Sequence, residues 1–257
     1  RTAVAESVNN PEDYKYSLVD SEEMLNAVVD YYADRYNTVI KADEITAVRG
    51  TQEGMAHLGM AILNPGDVVL LPDPGYPVFE AGSYLGGAEV YYYPLLRENN
   101  FLPVIEDIPE DILNKTKYIV LSYPSNPVGA SAPKEMYVRM IEYAKKYNFA
   151  IINDNAYSDI IFDGREGFSF LSLPGAKDVG VEFFSLSKSY NVTGLRISFC
   201  IGNKSIIDAF KLLRSQYDFG MSYPAQKAAI AALRGPRDSV KAQCAEYQRR
   251  RDALLNG

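Results

Sequence analysis

Histidine occurs once in this chain, cysteine twice and tryptophan not at all. One histidine (His57) and two distant cysteines (Cys200 and Cys244) cannot assemble a common zinc site. They also supply no disulfide framework. With no secretion signal in the sequence, a reducing cytoplasm is the expected compartment. Basic residues are in the minority. Lysine and arginine number 26 against 33 aspartates and glutamates, for a net charge of -7 and a pI near 4.9. That balance argues against non-specific nucleic-acid binding. The short basic run Arg249-Arg-Arg251 shares its helical stretch with Asp238, Glu246 and Asp252, and reads as a solvated or inter-domain face. No apolar stretch is long enough to span a bilayer. There is no internal repeat and no low-complexity tract.

What is present is a chain of 257 residues with 47% hydrophobic content, enough for a substantial core and consistent with one large domain. Helical periodicity marks residues 22–36, 52–63, 77–85, 133–147, 204–217, 224–233 and 237–255. Apolar runs of strand length occupy 45–48, 68–71, 89–93, 118–122, 150–153, 181–184 and 197–201. Continuous apolar strands separated by helices predict a three-layer α/β/α fold around a mainly parallel seven-stranded sheet. The last strand is the exception. Only residues 185–196 separate it from the one before, which is short for a parallel crossover, so it is expected to run antiparallel. His57, in an apolar helix, reads as a packing residue. Cys200 reads as a core thiol, and Cys244 lies in a charged helix.

The polar motifs gather at strand ends. Gly50-Thr-Gln-Glu-Gly54 follows the first strand and opens a helix. Asp73-Pro-Gly-Tyr-Pro77 follows the second. Ser122-Tyr-Pro-Ser-Asn-Pro-Val-Gly129 follows the fourth, and Asp154, with Tyr157 three residues on, ends the fifth. Lys188 emerges from the sixth among Ser185, Ser187 and Ser189, eight residues before Arg196. An ammonium leaving a buried strand is costly unless it pairs with a carboxylate or serves as a carbonyl-reactive amine. Singly, each motif has a plain structural reading: a turn at Asn126-Pro127, a helix cap at Asp154, a generic strand–helix turn after Gly50. Ligands in open α/β sheets bind outside the carboxyl ends of the strands. Five such ends offering polar, glycine-rich or lysine-bearing loops predict one shared site.

These stretches carry a resemblance. With Leu63-Asn-Pro-Gly-Asp-Val-Val69, Asn99-Asn-Phe-Leu-Pro103, Ala176-Lys-Asp-Val-Gly180 and Ser185-Leu-Ser-Lys-Ser-Tyr-Asn191, the chain resembles fold-type I pyridoxal-phosphate (PLP) aminotransferases of the class I/II group. It is most similar there to the LL-diaminopimelate aminotransferases and their near relatives. Asp154 lies 28 positions after Asn126 and 34 before Lys188, as in that family.

The resemblance implies a cofactor, pyridoxal 5'-phosphate, held as a Schiff base on Lys188. The amine freed by substrate would then act as general acid–base. Asp154 would hold the charged ring nitrogen, and Asn126 and Tyr157 would meet the cofactor's 3' oxygen. Tyr76 would stack on the ring. Gly50, Thr51, Gln52, Ser185, Ser187 and Arg196 would bind the phosphate. Tyr16 would reach the phosphate of a neighbouring subunit in a homodimer, although Val19-Asp-Ser21 stands where the family has a glycine. Leu195 stands where relatives commonly carry Trp, and Ser222-Tyr-Pro224 replaces a Ser-Asn-Pro type loop.

The implied reaction is amino transfer between an amino acid and a 2-oxo acid through pyridoxamine phosphate. LL-2,6-diaminopimelate and 2-oxoglutarate are the nearest family's pair. Alanine, aspartate or aromatic donors, a PLP β-lyase reaction, and the PLP-sensing domain of a transcription regulator remain alternatives. The family's additional N-terminal segment and small C-terminal domain have no counterpart within 1–257. The expected domain content is therefore the PLP-binding large domain, without the arginine that grips the substrate α-carboxylate.

Overall fold

The computed structural model describes residues 1–216 and 218–257. Seven strands form one sheet: β1 (Ile45–Val48), β2 (Val68–Asp73), β3 (Glu89–Pro94), β4 (Thr116–Ser122), β5 (Ala150–Asn155), β6 (Gly180–Ser185) and β7 (Ser198–Gly202). Their order is β1-β7-β6-β5-β4-β2-β3. From β3 through β6 all neighbours are parallel, whereas β7 is antiparallel to both β6 and β1. The short 185–196 link accounts for this, because it suffices to turn the chain back beside β6 and is short for a crossover helix over a face of the sheet.

Eleven α-helices are formed by the described residues. They are α1 (Thr2–Val8), α2 (Glu22–Tyr36), α3 (Thr51–Ile62), α4 (Val78–Gly86), α5 (Glu110–Leu113), α6 (Lys134–Tyr147), α7 (Ala176–Val179), α8 (Leu186–Ser189), α9 (Lys204–Arg214), α10 (Tyr223–Arg234) and α11 (Asp238–Asn256). Those expected from periodicity are all present. The four not anticipated are at most seven residues long, too short for a 3.6-residue repeat to register. The helix expected over 204–217 ends at Arg214, whose buried guanidinium pairs with Asp218 at 3.0 Å. Tyr217 lies outside the described residues.

Strand alternation divides the core in two. Val68, Leu70, Ile119, Leu121, Ile151 and Phe184 face the cluster shared with α2, α6 and α10. Val69, Leu71, Tyr118, Val120, Ile152, Val181 and Phe183 face the cluster shared with α3, α4 and α9. Helices α3 and α4 approach backbone to backbone. A Cβ on Gly59 would lie 2.0 Å from the Gly82 carbonyl oxygen, so only glycine fits there. No helix among the described residues is long and apolar enough to cross a membrane.

This topology positions the site. Five strand-end loops, after β1, β2, β4, β5 and β6, open at one edge of the sheet. Because β7 runs the other way, its amino end lies at that same edge, and Arg196 precedes it by two residues.

Candidate active site at the carboxyl edge of the sheet

A cavity of about 240 Å³ lies at this edge, lined by residues from all the strand ends named above: Thr51 and Gln52, Tyr76, Asn126, Asp154 with Ala156 and Tyr157, Ser185, Ser187 and Lys188, and Thr193 and Arg196. Ten of the twelve residues singled out in the sequence therefore share one pocket. The eleventh, Gly50, backs it. It has φ 95°, and a Cβ there would lie 1.9 Å from an Arg196 guanidinium nitrogen. Tyr16 is elsewhere. It is 75% exposed, with its ring 5.1 Å from that of Phe219.

Each side chain is held by local structure. Ser185 ends β6 and caps α8, accepting from the Ser187 N–H at 3.1 Å and pairing with Ser198 Oγ at 2.9 Å. That cap turns the chain so that Lys188 projects from the one-turn helix. Its Nζ lies 6.0 Å from the centre of the Tyr157 ring. The Lys188 carbonyl accepts from Gln243 Nε2 of α11 at 2.9 Å. Arg196 occupies the left-handed region at φ 56°, uncommon for a residue with a Cβ. Its Nη1 donates to the Thr193 carbonyl at 2.8 Å, which aims the guanidinium at Gly50 and the start of α3. Thr51 opens α3, whose first N–H groups lack helical partners and suit an anion.

Asp154 is the electrostatic centre. It is 8% exposed, and its Oδ1 is buried without a hydrogen-bond partner. Burial, and then the charge of Glu182, push its carboxyl up to about 7. An orphaned buried carboxylate oxygen facing a cavity invites a donor from whatever fills it. Burial also raises the Tyr157 hydroxyl, with Asp154 and Tyr76 adding to the shift and Asn126 opposing it.

Ala156 and Thr193 line the cavity without having been singled out. Thr193 was legible as part of the loop joining Lys188 to Arg196, whereas Ala156 has no chemistry to notice. Gln243 was invisible, because nothing in a polar helical stretch 55 residues downstream announces a contact with Lys188. His57 lies outside the cavity, its Nδ1 3.5 Å from Glu53 Oε1 of the same helix. Cys200 is fully buried in β7, where desolvation pushes its thiol up. No group of three or more histidine, cysteine or acidic residues placed to hold a metal occurs among the described residues.

Gly50→Ala tests the cradle. The forced left-handed backbone and the clash with Arg196 predict a loss of about 1–3 kcal/mol in stability. They also predict a displaced Arg196 and roughly tenfold weaker binding of a phosphate-bearing ligand, about 1.4 kcal/mol. Thermal unfolding and ligand titration would read the two effects separately.

Comparison with known proteins places the chain among relatives. The family model for aminotransferase class I and II matches residues 2–257. The LL-diaminopimelate aminotransferase of Dehalococcoides mccartyi is 43% identical over 254 residues, covering 98% of this chain and 66% of that enzyme. Among solved structures, an aminotransferase from Staphylococcus aureus superposes with a TM-score of 0.95 at 35% identity, covering 99% of this chain and 68% of that one. Substrate-bound BacF from Bacillus subtilis gives a TM-score of 0.94 at 36% identity, covering 98% and 64%. The chain thus spans about two thirds of the length of the proteins it matches. A family match that runs through every strand-end loop, on a sheet of the same architecture, leaves one conclusion: this chain belongs to the class I and II aminotransferase family.

Proposed function

We propose that this chain is the cofactor-binding large domain of an aminotransferase that uses pyridoxal 5'-phosphate to move an amino group from an amino acid to a 2-oxo acid. The observation that carries the reading is the convergence of Lys188, Asp154 and Arg196 on one cavity. The residues present fit the cofactor. The unpartnered Asp154 oxygen suits a protonated ring nitrogen. The Gly50 notch, the guanidinium of Arg196, the Ser185 and Ser187 hydroxyls and the start of α3 with Thr51 and Gln52 suit a phosphate.

When bound, the cofactor supplies an electron sink for the bonds at the substrate α-carbon. The chain's own residues do the rest. Lys188 Nζ would anchor the cofactor covalently and, once displaced by substrate, take the proton from the α-carbon. Asp154 would hold a proton on the ring nitrogen. Asn126 and Tyr157 would hydrogen-bond the ring oxygen, and Tyr76 would cover a ring face. Tyr16, exposed beside Phe219, would reach the phosphate held by a second copy of the chain in a homodimer. LL-2,6-diaminopimelate is the favoured amino donor, supported by the Dehalococcoides mccartyi relative; 2-oxoglutarate as acceptor and the cytoplasm as compartment follow from the family resemblance of the sequence.

The test is the visible spectrum of the purified protein with PLP, before and after adding single amino acids. The expected result is an absorption band that borohydride removes, leaving the cofactor on a Lys188 peptide, and that LL-2,6-diaminopimelate bleaches. Bleaching by alanine or aspartate instead would redirect the substrate. Release of pyruvate and ammonia would replace amino transfer by β-elimination. A folded protein without the band would overturn the reading.

A further inference from the structure

Glu182 stands in the middle of β6, fully buried. Among the described residues its carboxylate meets four donors and no cation. Tyr32 Oη and Ser169 Oγ reach Oε1 at 2.8 and 2.7 Å, and Asn153 Nδ2 and Phe170 N reach Oε2 at 2.9 and 2.8 Å. The Phe170 N–H can only donate. The Asn153 amide is oriented as a donor by Tyr137, whose hydroxyl donates to Asn153 Oδ1 at 2.9 Å. Ser169 Oγ already accepts from the Leu171 N–H at 3.1 Å, which leaves its proton for Glu182. A neutral carboxyl could place its proton only on the Tyr32 or Ser169 hydroxyl, and would leave that hydroxyl's own proton without its acceptor. The arrangement is that of an acceptor-only group, the ionised carboxylate. Burial pushes the carboxyl up, and Ser169, Asn155, Tyr32 and the Phe170 N–H oppose that push.

The position of this group matters. Glu182 pairs across the strands with Asn153, and the next pair is Asp154 with Phe183. Successive side chains point to opposite faces, so Glu182 and Asp154 stand on opposite sides of two adjacent strands with only the sheet between them. A charge at that range in a dry interior is felt far more than in water, and Glu182 contributes to the raised Asp154 carboxyl. No step described for the active site uses Glu182.

We propose that Glu182 is a positioning residue for the cofactor ring, a buried anion behind Asp154 whose charge helps keep the proton on the ring nitrogen. This rests on the reading of the cavity as a PLP site. No bond forms or breaks at Glu182. Its charge acts through the sheet, so that two carboxylates stabilise one ring cation and its proton is lost to solvent less readily.

Glu182→Gln separates charge from packing. The carboxamide oxygen can accept from Asn153 and Phe170, while its NH₂ donates to the Tyr32 and Ser169 hydroxyls, which can both accept. The measurement is the ¹⁵N shift of the ring nitrogen of labelled PLP, followed against pH in wild type and variant. The expected result is deprotonation about one pH unit lower in the variant, a tenfold weaker hold on the proton, with a lower melting temperature because the Tyr32 and Ser169 hydroxyl protons lose their acceptor. An unchanged ring titration overturns the inference, even where the melting temperature or PLP affinity falls, because that outcome assigns Glu182 a structural role only. A wild type that binds no PLP overturns the underlying site reading as well. If the variant does not fold, the wild type labelled at glutamate carboxyl carbons decides. A Glu182 resonance with an ionised shift between pH 6 and 8 supports the proposal, and a protonated one removes it.

Discussion

Lys188→Ala is expected to lower amino transfer by about 10⁴-fold, the upper range for removing a positioned general acid–base group. The size follows from two losses at one atom. Without Nζ there is no amine to hold the cofactor covalently and none to move the α-proton. The fold should survive, because α8 is one turn long and Lys188 contributes to neither core cluster. Lys188→Arg sharpens the point. It keeps a cation over the Tyr157 ring, where Lys188 now lies, but offers no comparable nucleophile. Both variants should still take up PLP non-covalently, so borohydride should leave no cofactor on the protein. An alanine variant within tenfold of wild-type turnover would remove Lys188 from the chemistry.

Asp154→Asn is expected to cost about 10²–10³-fold in amino transfer, comparable to deleting one preorganised electrostatic contact. The carboxamide is nearly the same shape but carries no charge to hold a ring cation. A second signature needs no cofactor. With its carboxyl at about 7 in the fold and an ordinary value of 3.8, Asp154 binds its proton more tightly folded than unfolded. Its contribution to stability is fully present below about pH 4 and is lost as pH rises through about 7, to a total on the order of 4 kcal/mol. The melting temperature of the protein alone should therefore fall across that window, and the fall should shrink in the Asn variant. Added PLP should flatten it too, because a positive ring nitrogen favours the ionised carboxylate. A melting temperature equally steep in both proteins would contradict the proton on Asp154.

Much of the fold was legible because strands buried on both faces read as continuous apolar runs, as in Tyr118–Leu121 and Val68–Leu71. The antiparallel β7 was legible from a length alone, since twelve residues are short for a parallel crossover with its helix. That Lys188, Asp154 and Arg196 would line one cavity was legible from the joint placement of polar motifs at strand ends, since each motif alone has a plain structural reading. Short elements such as α5 and α7 were not, because four residues hold no period.

Residue type, spacing and strand-end placement therefore determined, from sequence alone, the mainly parallel sheet and the set of groups that meet at its edge. Tertiary structure decided what those groups feel. Asp154 has an orphaned oxygen because the fold buries it at the cavity and brings no donor within the described residues to it. Gly50 must be glycine because its φ is 95° and because Arg196, 146 positions later, fills the space of its missing Cβ. Glu182, an interruption in an apolar run when read as sequence, becomes a carboxylate with four donors once Tyr32, Asn153, Ser169 and Phe170 are folded around it. Periodicity is a local property of a chain, whereas desolvation and hydrogen-bond satisfaction depend on neighbours brought together from distant positions.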